Sequence, residues 1–378
     1  MKRNMIKLGD VATYINGYAF KPEDRGEVGL PIIRIQDLTG NAYDLGFYNG
    51  DYPKRIEIND GDVLISWSAS LGVYVWNRGR VLLNQHIFKV QFDKVNIDKS
   101  YFVYAVRQKL AEMAMKTHGA TMKHIVKKDF EETLIPYPSL KKQIEIGTNL
   151  DKIDNIIVAR KQQLELLDEL VKARFVELFG DAIYNDKGWE NDTVEKLCKE
   201  IYGGGTPSKS HPEYYEDGDI PWVSSKDMKT DVLTDSQIKI NQLGVDNSTA
   251  RMVPINSVIM VIRSGILKHT LPVAINAVPI TVNQDLKVFI PNKRVLTRFL
   301  AIQFKMHEKD ILSGVRAVTA DNIEFNSLKQ RELIVPPIEL QQEYVTFLEQ
   351  IDKSKVAIKK SLDETQILFD SLMQKYFG

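Results

Sequence analysis

The chain has 378 residues, 50 basic and 50 acidic side chains, and a formal net charge of zero. This length suggests two to three domains, and the balanced charge argues against indiscriminate binding of nucleic acid. The single cysteine, Cys198, excludes an internal disulfide, and no apolar run has the length of a membrane span. We therefore expect a cytoplasmic protein without a membrane partner.

Residues 1–137 are predicted to form the first of two β-rich domains. Apolar runs bounded by turn residues predict strands over 31–35, 62–67 and 86–92. A helical pattern follows over 101–116.

A long amphipathic helix is predicted over 138–180. Its seam positions recur at alternating steps of four and three, which is the heptad pattern of a helix that packs on another helix. Pro136 and Pro138 fit the helix start, and Gly180 fits a left-handed cap. The predicted seam consists of Ile146, Leu150, Ile153, Ile157, Arg160, Leu164, Leu167, Val171, Arg174 and Leu178.

The second half of the chain repeats this order of elements. Residues 181–337 predict a second β-rich domain, with strands over 221–224, 257–263 and 286–290 and a helix over 297–311. Residues 338–378 predict a second long helix, whose seam positions each lie 198 residues after their partners in the first. This second seam consists of Tyr344, Leu348, Ile351, Lys355, Ile358, Leu362, Thr365, Phe369, Leu372 and Tyr376.

Two helices of equal length and matched heptad phase are expected to pack on each other. The alternative is that each helix covers the core of its own domain. A duplicated half also predicts an internal pseudo-two-fold, which suits a two-part partner such as DNA.

Short motifs recur in the two β-rich domains, while the polar residues beside them differ. Asn84-Gln85-His86 corresponds to Asn283-Gln284-Asp285, and hydrogen bonding to a turn is the favoured interpretation of the repeated Asn-Gln pair. Acid-free basic stretches over 63–92, 113–128 and 247–284 indicate either a phosphate-facing surface or apolar β-rich cores with few acids.

Candidate DNA-reading residues are those whose side chains can donate to or accept from base edges. In the first domain these are Arg34, Gln36, Ser66, Ser68, Asn84, Gln85, Lys123 and His124. In the second domain they are Ser225, Lys226, Arg263, Ser264, Lys268, Asn283, Gln284 and Asn322.

Catalytic motifs are missing from the sequence. No methyltransferase motif of the Asn-Pro-Pro-aromatic kind occurs, and the glycine-rich stretch 203–210 lacks the ending of a phosphate loop, so it predicts a turn. Cys198 is predicted on a helix in the core, and the histidines show no metal-ligand spacing. We expect no catalytic, cofactor or metal site in this chain.

At these motifs the chain resembles the specificity subunits of type I restriction–modification systems. The resemblance covers essentially the whole chain and rests on motif order. A proline-rich segment precedes a glutamine-containing helix start, two long helical repeats follow two variable domains, and Gly-Gly-Thr-Pro-Ser stands at 204–208. It implies an α+β fold in which two target-recognition domains are separated by two long helices that form an antiparallel coiled coil.

The resemblance also implies the partners. Each domain would read one half of a split sequence in double-stranded DNA, and the coiled coil would set the spacing. Two modification subunits, which carry S-adenosylmethionine and methylate adenine, would dock on the helices, and restriction subunits could join. Two other classes stay open, namely a coiled-coil scaffold that does not read DNA and an enzyme, such as a nuclease, with dispersed catalytic acids.

Overall fold

The computed structural model describes residues 4–40, 46–116, 125–314, 316–317 and 321–378. The chain divides into two compact units, which are Met1–Gln162 with Ile358–Gly378, and Gln163–Ala357. Each unit therefore contains one β-rich domain and half of each long helix. We call the β-rich parts the first head (1–137) and the second head (181–337).

The first unit is built from short strands and helices. Its described strands are β1 (Met5–Lys7), β2 (Thr13–Asn16), β3 (Leu30–Ile33), β4 (Phe47–Tyr48), β5 (Glu57–Ile58), β6 (Val63–Ser66), β7 (Gly72–Val75), β8 (Val81–Leu83), β9 (Ile87–Gln91) and β10 (Leu134–Pro136). Its described α-helices are α1 (Leu8–Val11), α2 (Ile35–Thr39), α3 (Lys99–Lys116), α4 (Lys127–Glu131) and the first part of α5 (Leu140–Phe179).

Two four-stranded sheets organise the first head. One has the order β2-β9-β6-β7 and is antiparallel, and the other has the order β4-β3-β8-β5. Within the second sheet, β3 and β8 run parallel, so their carboxyl ends meet at one edge. Every residue of β6 is buried, because its two faces pack in different cores, with Val63 and Ile65 in one and Leu64 in the other. Strands β1 and β10 pair at the point where the chain leaves the head for α5.

The second unit repeats this construction. Its described strands are β11 (Asn191–Thr193), β12 (Cys198–Gly203), β13 (Ile220–Val223), β14 (Val232–Leu233), β15 (Lys239–Ile240), β16 (Val258–Val261), β17 (Val273–Asn276), β18 (Thr281–Val282), β19 (Leu286–Pro291), β20 (Arg316–Ala317), β21 (Asp321–Asn322) and β22 (Glu332–Ile334). Its described α-helices are α6 (Val194–Leu197), α7 (Gln242–Asp246), α8 (Thr297–Met306), α9 (Glu308–Ser313), α10 (Phe325–Gln330) and the first part of α11 (Ile338–Phe377).

The sheets of the second head correspond to those of the first. A five-stranded sheet has the order β12-β19-β16-β17-β14, and a smaller one has the order β15-β13-β18 with β13 and β18 parallel. Strands β11 and β22 pair where the chain leaves for α11, as β1 and β10 do before α5. The strands predicted from apolar runs are therefore present in both heads, although the predicted strand 31–35 ends early, because Ile35 opens α2. The helix predicted over 297–311 is divided at His307 into α8 and α9. Cys198 is a correction, because it opens β12 instead of lying on a helix.

The two long helices have the predicted length and offset. Helices α5 and α11 each contain 40 residues, and their first residues, Leu140 and Ile338, lie 198 positions apart. Every position of both predicted seams is buried or half-buried. Gly180 follows α5 with a φ of 77°, so the predicted left-handed cap is confirmed.

The helix halves contact each other and also cover the core of the head in their unit. In the first unit, Ile146 and Leu150 of α5 share a core with Phe369 of α11. In the second unit, the Tyr344 hydroxyl of α11 donates to the Val171 carbonyl of α5 at 3.0 Å. The two interpretations of the seams, helix against helix and helix against head, are therefore both true within each unit.

The buried stripe drifts by one position near the end of each helix. Phe175 and Phe179 are fully buried in α5, whereas the predicted seam positions Arg174 and Leu178 are only half-buried. The same step occurs in α11, where the buried residues are Met373 and Phe377. A straight α-helix advances 3.6 residues per turn and so departs from a strict heptad over several turns.

A buried glutamine joins each long helix to its head. Gln143 is 1% exposed; its side-chain oxygen accepts from the Asp98 amide at 3.0 Å, and its nitrogen donates to the Pro138 carbonyl at 2.8 Å. Gln341, 198 residues later, is fully buried in the equivalent place. These bonds give a structural reason for the glutamine in the helix-start motif.

We expect Gln341→Ala to lower the free energy of unfolding by about 1–3 kcal/mol. The substitution leaves the Leu296 amide and the Pro336 carbonyl without their partners, which lie at 2.9 and 2.8 Å from the Gln341 side chain. Urea denaturation provides the measurement. The neighbouring Gln342 is exposed, so Gln342→Ala serves as the control and should change stability by less than about 0.5 kcal/mol. Equal effects of the two substitutions would contradict this role of Gln341.

Candidate nucleic-acid interface

The candidate DNA-reading residues of the second head come together at one edge. The parallel strands β13 and β18 end side by side, and the Asn283 amide donates to the Val223 carbonyl at 3.0 Å. Ser225 and Lys226 therefore leave the sheet beside Asn283 and Gln284. A backbone bridge joins Arg263 to Asn322, so the segment after β16 reaches the same edge.

An ion pair lies at the centre of this edge. Nε of Arg263 donates to Oδ1 of Asp285 at 2.7 Å, and Nη2 lies 2.6 Å from the same oxygen. The Asp285 carboxylate is also held by the Asn283 side-chain amide at 3.1 Å, and its backbone amide donates back to Asn283 at 3.1 Å. Asn283 is buried, whereas 48% of the Arg263 side chain is exposed.

The remaining candidates of the second head take local roles beside this pair. Lys268 lies 3.8 Å from Asp321 and is largely exposed. The Gln284 side chain accepts a hydrogen bond from Thr206, which places the glycine-rich stretch 203–210 at the same edge. The Ser264 hydroxyl accepts from the amide of Ile266 at the start of a 3₁₀ turn.

In the first head, the repeated Asn-Gln motif occupies the corresponding edge. The Asn84 amide donates to the Ile33 carbonyl at 3.2 Å, and the Asn84 side chain accepts from the Gln85 amide at 2.9 Å. The expected structural role of Asn84 and Asn283 at a turn therefore has direct support, while Gln85 and His86 are exposed.

The other candidates of the first head differ in accessibility. The Arg34 amide donates to Asp37 at 2.6 Å at the start of α2, and Gln36 is exposed on that helix. Ser66 is fully buried and donates to the Ser70 carbonyl, so it serves the local fold in this structure, and Ser68 is also buried. Lys123 and His124 lie outside the described residues.

Backbone hydrogen bonds show which positions of the two heads correspond. The amide of Trp67 donates to the His86 carbonyl, and the amide of Ile262 donates to the Asp285 carbonyl. The next residues, Ser68 and Arg263, are therefore equivalent, as are His86 and Asp285. The same frame carries a serine and a histidine in the first head and an ion pair in the second.

The two heads also differ in a cation–π contact next to these equivalent positions. In the first head, the Lys127 ammonium lies over the Phe88 ring at 5.8 Å. In the second head, the Lys287 ammonium lies over the Phe325 ring at 4.6 Å. The strand pairings make Phe88 equivalent to Lys287, since their partners in β2 and β12 are Asn16 and Gly203. Each head thus keeps a cation–π contact, with the lysine and the aromatic ring exchanged.

Burial shifts the pKa of two side chains of the second head, Lys287 and Cys198. Partial burial lowers the pKa of Lys287, because desolvation disfavours its charged form. Burial raises the pKa of the Cys198 thiol to about 12, so this cysteine stays protonated and unreactive at neutral pH.

The basic residues in the acid-free stretches are mostly engaged with groups from elsewhere in their head. Lys89 pairs with Asp62 at 2.8 Å, and Arg80 pairs with Glu57 at 2.7 Å. Arg251 in the second head pairs with Glu200 at 2.6 Å. Local neutralisation of this kind weakens long-range attraction to phosphates and leaves recognition to short-range contacts.

Sequence reasoning missed three members of this edge. In the sequence, Asp285 and His86 are distinguished only as the third residues of a repeated motif, although they stand beside the candidate readers in space. The sequence does not predict a role for Lys287, because its aromatic partner Phe325 is 38 residues away in the chain. A comparison of the third residue in each Asn-Gln motif could have identified the first two.

Among the described ranges, no group of three or more His, Cys, Asp or Glu side chains could hold a metal ion. In that same part of the chain, no helix is long and apolar enough to cross a membrane.

Comparison with known proteins relates the chain to one family. The family model described as "Type I restriction modification DNA specificity domain" matches residues 2–167 and 186–366. The EcoR124I/EcoR124II specificity subunit of Escherichia coli is 32% identical over 232 residues, which are 60% of this chain and 56% of that subunit. The EcoBI specificity subunit of Escherichia coli is 22% identical over 414 residues, covering 98% of this chain and 85% of the relative.

A solved structure supports the fold independently. The S subunit of a type I restriction–modification system from M. genitalium matches with a TM-score of 0.62 and 14% identity, covering 100% of this chain and 96% of that chain. At this identity the likeness concerns the fold alone.

Proposed function

Because the chain belongs to the type I restriction–modification DNA specificity family, we propose that it recognises DNA sequence through its two heads without being an enzyme itself. The observation that carries this proposal is the repeated frame with different polar side chains. Ser68 and His86 in the first head stand where Arg263 and Asp285 stand in the second. Two heads built this way suit two different half-sites in double-stranded DNA, because base edges are distinguished by their donor and acceptor patterns.

The proposal includes an antiparallel coiled coil of α5 and α11 that fixes the distance between the half-sites. In the first unit the N-terminal part of α5 shares a core with the C-terminal part of α11. In the second unit the C-terminal part of α5 meets the N-terminal part of α11. There, Arg174 near the end of α5 pairs with Glu343 near the start of α11 at 2.7 Å. Such a pattern supports antiparallel packing.

Partner subunits are the other part of the proposal. Two modification subunits, which carry S-adenosylmethionine, would bind along the long helices, and restriction subunits would join this complex in the cytoplasm. Apolar side chains that remain exposed on these helices support a docking role, because large exposed apolar surface marks interaction sites. They include Ile156, Val158, Leu166, Leu170, Val356, Ile367 and Leu368.

Sequence-selective retention of duplex DNA tests the proposal against a scaffold that does not read DNA. The chain in complex with its modification subunits is mixed with random-sequence duplexes at several salt concentrations. We expect a minority of sequences to be enriched, with affinity about 10³-fold or more above that for unrelated duplexes, and both affinities should fall as salt rises. Retention without enrichment of any sequence would contradict DNA reading.

A further inference from the structure

We infer that Arg263 reads a guanine in the half-site of the second head, and that Asp285 is the residue that positions it. This inference rests on the proposed function and assigns one chemical contact within it. Its basis is the arrangement of Arg263, Asp285 and Asn283 at the edge where the candidate readers meet.

The Asp285 carboxylate engages only one side of the guanidinium. Nε of Arg263 donates to Oδ1 at 2.7 Å, and Nη2 lies 2.6 Å from the same oxygen as an ion pair. An arginine has five N–H donors, so the end of the fork, formed by Nη1 and the second hydrogen of Nη2, remains for another pair of acceptors. Guanine presents such a pair, O6 and N7, in the major groove.

The arginine is held in place before any partner arrives. Asn283 is buried and exchanges two hydrogen bonds with Asp285, each 3.1 Å long, which fixes the carboxylate. The Arg263 amide donates to the Asp285 carbonyl at 3.3 Å, and a backbone bridge to Asn322 holds its other side. A side chain that is already ordered loses less entropy on binding, so its contacts contribute more to affinity.

The charge of the pair favours a base over a phosphate. Asp285 neutralises Arg263, and 24% of its own side chain is exposed, so an approaching phosphate would meet a carboxylate as well as a cation. The acceptors of guanine are neutral and suffer no such repulsion. The pair is therefore better suited to hydrogen bonding with a base edge than to electrostatic attraction of the backbone.

Comparison with the first head identifies this position as one that varies on a constant frame. Ser68 and His86 occupy the equivalent places, and the imidazole of His86 lies against Trp67 at 5.1 Å between ring centroids. His86 has a φ of 73°, a left-handed conformation that is uncommon for a residue other than glycine. Such strained residues are concentrated at functional sites.

Base analogues test the inference. The complex with modification subunits is measured on its selected duplex, with each guanine replaced in turn by 7-deazaguanine, which lacks the N7 acceptor. For one guanine in one half-site we expect the wild-type complex to lose about ten-fold or more in affinity. Arg263→Ala should lose affinity for the normal duplex to a similar degree and become insensitive to that replacement.

Two further variants separate reading from other roles. Arg263→Lys keeps the charge but not the planar fork, so it should bind the normal duplex less tightly than the wild type and be less sensitive than the wild type to 7-deazaguanine; wild-type affinity in this variant would indicate a phosphate contact. Asp285→Asn should reduce discrimination at that one base pair and at no other. Arg251→Ala is the matched control, because Arg251 is an exposed arginine of the same head that also pairs with a carboxylate, Glu200.

The inference would be overturned if no guanine were sensitive to 7-deazaguanine, or if Arg263→Ala kept the base preference of the wild type at every position. Either result would leave selective binding by two heads intact. If the wild-type complex selected no sequence at all, the proposed function itself would fail, and this inference with it.

Discussion

Replacing Phe175 with alanine is expected to lower the free energy of unfolding by about 3–5 kcal/mol. Phe175 lies near the end of α5 and is fully buried. Its ring stacks on Phe299 of α8 at 5.9 Å and meets Tyr344 of α11 edge-to-face at 5.6 Å. The side chain thus joins both long helices to the second head, and its removal leaves a cavity that three elements cannot easily close.

Denaturant titration of the purified chain measures this effect, with fluorescence and circular dichroism as independent probes. Leu166→Ala is the matched control, because Leu166 lies on the same helix and is 60% exposed. We expect the control to change the free energy of unfolding by less than about 0.5 kcal/mol. If Phe175→Ala had an equally small effect, the packing of α5 on α11 in the second unit would be refuted.

The second large effect concerns the target sequence. Exchanging residues 1–137 for the first domain of another family member is expected to replace one half-site and leave the other unchanged. The hybrid should lose about 10³-fold or more in affinity for the original duplex, because half of the specific contacts are lost. The exchange is feasible because the two heads have separate hydrophobic cores.

The hybrid must keep the contacts that tie the first head to the helices. The Tyr104 hydroxyl donates to Asp151 of α5 at 2.8 Å, and Tyr101 lies 5.1 Å from the Phe377 ring of α11. A domain with tyrosines at both places should therefore be chosen. The reciprocal exchange of residues 181–337 is the control and should replace the other half-site. A change in both half-sites after either exchange would contradict independent reading.

Periodicity in the sequence predicted the large elements, because apolar spacing follows directly from helix and strand geometry. It placed the two long helices and their 198-residue offset correctly. It did not predict that Phe175 and Phe179 replace the heptad positions at the helix end. Helix geometry alone produces a drift from a strict heptad, but the turn at which the new stripe becomes buried depends on the head surface that the helix meets, and this surface is formed by residues distant in the chain.

The candidate interface was predicted less completely for the same reason. Its residue type and its position in the repeat identify Arg263 as a candidate DNA-reading residue. Its partner Asp285 is not evident from the sequence, because it is 22 residues away in the chain. Ser66 was selected as a polar residue at the end of a strand, yet burial gives it a local hydrogen bond instead. The lysine and the aromatic ring of the cation–π pair exchange places between the two heads. This exchange can be recognised only when the strand register of each head is known.

Mapping methylated adenines in the genome of the source organism tests the central claim most directly. If two dissimilar heads read two half-sites through one subunit, the methylated positions should share one motif. That motif should consist of two short, different sequences separated by a constant number of unspecified base pairs. Methylation that follows a single continuous motif, or depends on this chain at no position, would contradict the account.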